Sequence, residues 1–316
     1  MMKDTFSNMH PFINFIFFAL TIGFTMFIMN PVCLAVSFLC ALVTALYLNG
    51  KKAVRLSLVF LLPMILLIVL VNPVFNHEGM TILTYFPWDN PLTLESIVYG
   101  IASAFLLSST VLWFSSFNAV ITSDKVVFLF GRIMPSLSLV ISMALRFVPR
   151  FSAQMKLVRN AQHTIGRDIN EGTLFQRIRN AVKILSIMIT WSLENAIETA
   201  DSMKSRGHGL KGRTSYSLYK FDKRDAFMLC TILFTGLVLM ILLFTNAIKF
   251  RYYPSIKGDL FTVQSIIFYI FYTFLMLIPL SVNIGEGIKW KHMQSKIWVF
   301  DTPKPVLMYL KILLSA

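Results

Sequence analysis

Residues 5–50 contain no Asp, Glu, Lys or Arg. A helix rises about 1.5 Å per residue, so a stretch of that length crosses a hydrocarbon core of about 30 Å twice. Four further runs lack those residues and are long enough to span: 56–77, 96–123, 226–248 and 260–285. Dividing the first stretch at Asn30-Pro31 gives six helices near 12–29, 31–48, 56–75, 96–116, 226–247 and 263–284. Only 14% of the residues are charged, against roughly 25% in soluble domains, so a soluble globular fold is excluded. The 29 Phe and 17 Met beside 14 Gly and 12 Pro exclude disorder and collagen-like character as well. The expected fold class is an all-α polytopic membrane protein.

Lys and Arg set the orientation, because short cytoplasmic loops retain positive charge. An N-terminus on the inside places 26 of the 29 basic residues on that side; only Lys249, Arg251 and Lys257 fall outside. The connection 76–95 carries Glu78, Asp89 and Glu95 and no Lys or Arg, which fits an outer loop. Both termini are therefore expected in the cytoplasm, in a multi-pass membrane protein. The run Ile133 to Leu145 is uncharged but has only 13 residues and is bracketed by Arg132 and Arg146. A crossing there would export the most cationic part of the chain, so an amphipathic or partly embedded helix is expected. The layout is four N-terminal membrane helices in 1–122, a cytoplasmic or interfacial helical region in 123–225, two membrane helices in 226–285 and a cytoplasmic tail in 286–316. That tail, with Lys289, Trp290, Lys291 and Trp298, reads as interfacial. Lys3 precedes the first apolar run without a small-x-small cleavage site, which favours a retained helix over a signal peptide.

The chemistry legible in the chain is mostly negative. No acidic or basic residue lies near the centre of a span, which argues against a self-sufficient proton- or ion-driven carrier. No segment reads GxxxxGK[ST]; Gly207 to Gly212, GHGLKG, has the wrong spacing, so ATP is not bound by that route. His10, His77, His163, His208 and His292 form no i, i+4 pair, and no metal site is expected. Cys33, Cys40 and Cys230 lie in apolar segments and read as packing residues. The basic residues lack interleaved aromatic platforms, so nucleic acid is not an expected partner. No nucleophile–base pair supports an enzyme. The lipid bilayer is the one partner that composition itself demands.

Between residues 123 and 225 there are 17 basic and 8 acidic residues, too many and too patterned for a simple loop. Leu137, Ile141, Leu145, Val148, Met155 and Val158 recur at helical spacing from Pro135 onward, with Arg146, Arg150, Lys156 and Arg159 between them. Pro149 predicts a kink or a break into two helices, and Gly166 is placed as the terminal cap. A second helix over about 173–205 puts Leu174, Ile178, Val182, Leu185, Ile189, Leu193, Ile197, Ala200 and Met203 on one stripe. It ends at Lys204, Arg206 and Gly207, cations followed by a left-handed cap. Glu194, Glu198 and Asp201 share a face and repel unless cations sit opposite; a solvated acidic face is the alternative.

Ser192 to Thr214, SLENAIETADSMKSRGHGLKGRT, resembles the signature of the transmembrane coupling (T) component of energy-coupling factor transporters, prokaryotic importers of vitamins and transition-metal ions. In that family a helix ends in Ala-Arg-Gly followed by a Gly-Arg-Thr-like turn; here Ser205-Arg206-Gly207 precedes Gly209 and Gly212-Arg213-Thr214. An upstream triplet follows a pattern like LRFxPxxxxExxxxxxAQxARG. This chain has Leu145-Arg146-Phe147-Val148-Pro149, then Ala161-Gln162-His163-Thr164-Ile165-Gly166-Arg167, with Ile165 in the Arg position and Arg167 two residues on as the candidate substitute.

The resemblance covers about 135–215. It implies two long coupling helices crossing as an X, their ends docked on two P-loop ATPase subunits, and a separate substrate-binding membrane (S) subunit. ATP and Mg would be used by the ATPases, no cofactor would be bound by this chain, and the chain itself would be non-catalytic. The docking residues so implied are Thr164, Ile165, Gly166, Arg167, Ser205, Arg206, Gly207 and Gly209, supported by Arg146, Pro149, Glu194, Glu198, Asp201, Gly212 and Arg213. The rival readings are a self-contained permease or channel and a membrane-anchored interaction protein.

Overall fold

The computed structural model describes residues 5–85, 91–167, 172–210, 219–245, 247–258 and 260–300. The chain divides into two compact units, residues 1–122 with 221–316, and residues 123–220.

The first unit is built on α1 (Pro11–Phe27), α2 (Pro31–Asn49), α3 (Lys51–Phe75), α4 (Leu94–Val120), α8 (Lys223–Phe244) and α9 (Val263–Phe300). The helix starts follow from local chemistry. The His10 ring nitrogen accepts from the Phe12 amide at 3.3 Å and the Asn30 side chain accepts from Val32 at 3.0 Å, each with Pro in the first turn, where its missing N–H costs nothing. Gly50, at φ +53°, ends α2, and a π-helical turn, Ser57–Leu61, interrupts α3.

Helix α4 is central, packing against α1, α2 and α3, while α9 packs on α2 and α8. Its buried positions include Gly100, Ala102, Ala104, Ser108, Ser109 and Ser116, small residues that let helix backbones approach where lipid gives no hydrophobic drive. Trp113 is wholly buried at the centre, edge-on to Phe17 at 6.2 Å and Phe18 at 6.4 Å. Its indole N–H donates to Ser37 Oγ at 3.1 Å. Thr25 Oγ1 donates to the Thr21 carbonyl at 2.8 Å, so at the 2.9 Å contact between Thr25 and Ser37 the serine must be the donor. A directed chain of hydroxyls thus joins α4, α2 and α1, and leaving the indole N–H unsatisfied there would cost about 1–3 kcal/mol.

At one end of this unit two hairpins are pinned together. Strand β1 (Ile82–Tyr85) pairs antiparallel with β2 (Pro91–Thr93), and β3 (Phe250–Arg251) with β4 (Lys257–Gly258). The Met80 backbone amide donates to the Pro254 carbonyl at 3.1 Å, and the Asn76 side-chain Nδ2 donates to Tyr253 Oη at 2.8 Å. Tyr252 Oη donates to the Met29 carbonyl at 2.8 Å. Burial, with Tyr99 alongside, pushes both phenols up to about 12, so they stay neutral.

The second unit holds α5 (Ser123–Ile133), α6 (Pro135–Thr164) and α7 (Leu174–Ser205). Of the kink or break expected at Pro149 the break does not occur; α6 is one continuous helix through it. The helical length on either side outweighs the local cost of one lost backbone bond. Among the described residues six helices are long and apolar enough to cross a membrane: Pro31–Asn49, Lys51–Phe75, Leu94–Val120, Ser136–Thr164, Lys223–Phe244 and Val263–Met293. This is a multi-pass membrane protein, but the set differs from the expected one. The first apolar helix has 17 residues and falls short, whereas the run after Ile133 belongs to a helix long enough to qualify. Helix α9 also runs on past residue 285 to Phe300.

Candidate functional site

The expected docking residues fall at the ends of α6 and α7, and the two ends have the same backbone. At the end of α6 the cap residue Ile165 has φ −90° and ψ 7°, and Gly166 has φ +74°. The Gly166 amide donates to the His163 carbonyl and the Arg167 amide to the Gln162 carbonyl, both at 2.9 Å. At the end of α7 the cap residue Arg206 has φ −85° and ψ 9°, and Gly207 has φ +75°. There the Gly207 amide donates to Lys204 at 2.9 Å and the His208 amide to Met203 at 3.0 Å. Each is a Schellman cap, in which a left-handed residue returns two amides to orphan carbonyls of the last turn. Glycine is required because a Cβ resists that conformation. Gly166 and Gly207 therefore occupy equivalent places, as do Ile165 and Arg206, and as do Arg167 and His208.

The termini are set by equally local signals. The Thr173 amide donates to Gln176 Oε1 at 3.1 Å, one half of a capping box that starts α7. Helix α6 is anchored to α5, where Ser138 Oγ donates to the Val127 carbonyl at 3.0 Å. Lys125, on α5, is buried, and that burial pulls its ammonium down to about 8. Tyr219 lies against Phe128 at 5.0 Å, and burial together with the Asp124 carboxylate raises its phenol.

Between the caps, α6 and α7 touch through aromatic rings. Trp191 stacks on Phe147 with centroids 5.6 Å apart and rings 27° from parallel, and Phe151 lies 6.5 Å away. These positions fall near the middle of each helix. At about 1.5 Å per residue, Thr164 stands about 25 Å beyond Phe147 and Ser205 about 21 Å beyond Trp191. Arg146 and Pro149 sit beside this contact, both exposed. Trp191, Phe147 and Phe151 were absent from the sequence-derived site; the only signal was their aromatic character on facing helices.

The anticipated stripe on α7 is exposed along its length, from Leu174 and Ile178 to Leu193 and Ile197. The buried positions are Ile184 and Met188, on a neighbouring face with Trp191. Glu194, Glu198 and Asp201 are exposed, and among the described residues no salt bridge involves them. Ile165 is 64% exposed and Arg206 is exposed, as are Arg167, Ser205 and Gly209. Gly212 and Arg213 lie outside the described residues. Among the described residues no three His, Cys, Asp or Glu side chains cluster as metal ligands.

Comparison with known proteins identifies the family. The family model for CbiQ, cobalt transport protein, matches residues 3–216. The energy-coupling factor transporter transmembrane protein EcfT of Lactobacillus helveticus is 41% identical over 106 residues, 33% of this chain and 38% of that protein. EcfT of Lacticaseibacillus paracasei is 29% identical over 181 residues, 57% of this chain and 69% of its own length. EcfT of Exiguobacterium sibiricum is 26% identical over 208 residues, 61% of this chain and 78% of its own. The chain spans about two fifths of the length of the Lactobacillus helveticus and Lactococcus lactis relatives it matches. With the family model covering about two thirds of the sequence and both helix-end signatures inside the match, this chain belongs to the CbiQ family, the transmembrane T components of energy-coupling factor transporters.

Proposed function

We propose that this chain couples two P-loop ATPase subunits to a separate membrane subunit that binds the substrate, a vitamin or a transition-metal ion. ATP and Mg are used by the ATPases, and this chain is non-catalytic. The observation that carries the reading is the pair of exposed, glycine-capped helix ends, one bearing Arg206, on helices joined at their middles by Trp191. A guanidinium at a rigid cap suits a carboxylate on a moving partner, because its fork is planar and always charged. The glycine beside it lets the partner's backbone come close. Two arms joined at a stacked contact turn displacement of one end into displacement along the other.

The exposed stripe on α7 and the small, exposed Ala144 and Ala153 of α6 offer the substrate-binding subunit an apolar seat. A groove of about 420 Å³ beside α1 and α8 is lined only by Ala19, Leu20, Gly23, Phe24, Phe27, Met240, Leu243 and Phe244. It presents no polar side chain to a vitamin or a metal ion, which supports leaving substrate selection to another subunit. The basic residues of 123–220 and the positive-inside rule support cytoplasmic caps and termini.

The test is Arg206→Glu in the full chain, purified in mild detergent from host membranes and assayed for co-purifying ATPases and for transport. Replacing an attraction by a repulsion at one charge-assisted contact should reduce both about tenfold or more. A correctly inserted variant with wild-type transport would sink the reading.

A further inference from the structure

We infer that the two helix ends enter partner sockets of different chemistry, an acidic one for Arg206 and an apolar one for Ile165. The inference rests on the ATPase-docking role proposed above and deepens it. Ile165 and Arg206 share one cap geometry, with backbone angles within a few degrees and the same pair of returning hydrogen bonds. Their Cα–Cβ bonds therefore leave the helix end in the same direction, and whatever receives one side chain faces the other at the second end.

Arg167 does not restore the missing guanidinium. It follows the left-handed Gly166, with its amide tied to the Gln162 carbonyl, and its counterpart at the other end is His208. A basic or imidazole side chain thus stands after the glycine at both ends, and the cap residue is what distinguishes them. A socket carboxylate shaped for Arg206 would be desolvated against the aliphatic side chain of Ile165 without a partner. An apolar socket, conversely, gains from covering a side chain left 64% exposed at a helix tip. The two docking surfaces are not copies of each other.

The experiment compares four variants of the full chain, Ile165→Arg, Arg206→Ile, the double exchange and Ile165→Leu. The readout is ATPase subunits recovered per chain from host membranes. Sockets of different chemistry predict about a tenfold loss for Ile165→Arg, which buries an unpaired guanidinium. The double exchange should be at least as poor as Arg206→Ile, and Ile165→Leu should stay within about twofold of wild type. Wild-type recovery in the double exchange, a gain with Ile165→Arg, or recovery of a single kind of ATPase subunit would each overturn the inference while leaving the coupling role intact. A wild-type chain that recovers no ATPase, or an Arg206→Glu variant that binds normally, overturns the coupling role and the inference with it.

Discussion

Gly166 and Gly207 hold backbone angles that an L side chain resists, and their surroundings differ. A Cβ on Gly166 would meet nothing within 4 Å, whereas one on Gly207 would lie 3.0 Å from Leu210 Cδ1. Ala at Gly166 should therefore loosen its cap by about 1 kcal/mol, and Ala at Gly207 by more. Amide exchange at Arg167 and His208 should accelerate in that order. Lys125 gives a second prediction at this scale. Its folded value of about 8 lies below the ordinary 10.5, so between those pH values the unfolded chain holds more protons and stability rises with pH. Thermal unfolding in detergent from pH 7 to 10.5 should show that rise, and Lys125→Met should flatten it. The glycine caps and Arg206 were legible in the sequence because capping is local chemistry. The equivalence of Ile165 and Arg206 was legible only as a motif with one position changed; the shared backbone geometry is what makes it physical.

At the scale of elements, α6 and α7 hold to each other through few large side chains. Trp191→Ala removes the rings' mutual contact with Phe147 and Phe151 and should uncouple the two helices, with a loss of about 2–4 kcal/mol at this junction. ATPase subunits should still bind each cap while ATP-driven transport falls at least tenfold, a separation that a binding assay beside a transport assay would reveal. The helical stripe on α7 could be read from spacing, but spacing does not say which partner covers it. In this chain it stays exposed, while Ile184, Met188 and Trp191 face inward. Pro149 shows the converse limit, since a residue that breaks helices in isolation is carried through α6 by the length on either side. The charge-free runs gave most membrane helices directly because burial in lipid needs a continuous apolar length. The run 133–145 was too short by itself to suggest a span, and it lies in a helix that continues past Arg146 to Thr164.

For the whole molecule, orientation is a matter of charge. Cysteine placed at Arg206 should react with a membrane-impermeant maleimide only from the cytoplasmic face, and cysteine at Lys257 only from outside. Reversed accessibility would invert the topology and remove the caps from any ATP-using partner. The long helix α9 has a further consequence for mechanics. Its 38 residues extend about 57 Å, well beyond a hydrocarbon core of about 30 Å. Phe268, Tyr272 and Leu275 fix its first part in the packed interior. Pro279 then removes the one backbone hydrogen bond that would have reached back to the Leu275 carbonyl. Leu280 and Asn283, past that proline, are still buried, and Glu286 is tied to Arg224, so a push on the segment toward Phe300 is carried into the packed interior.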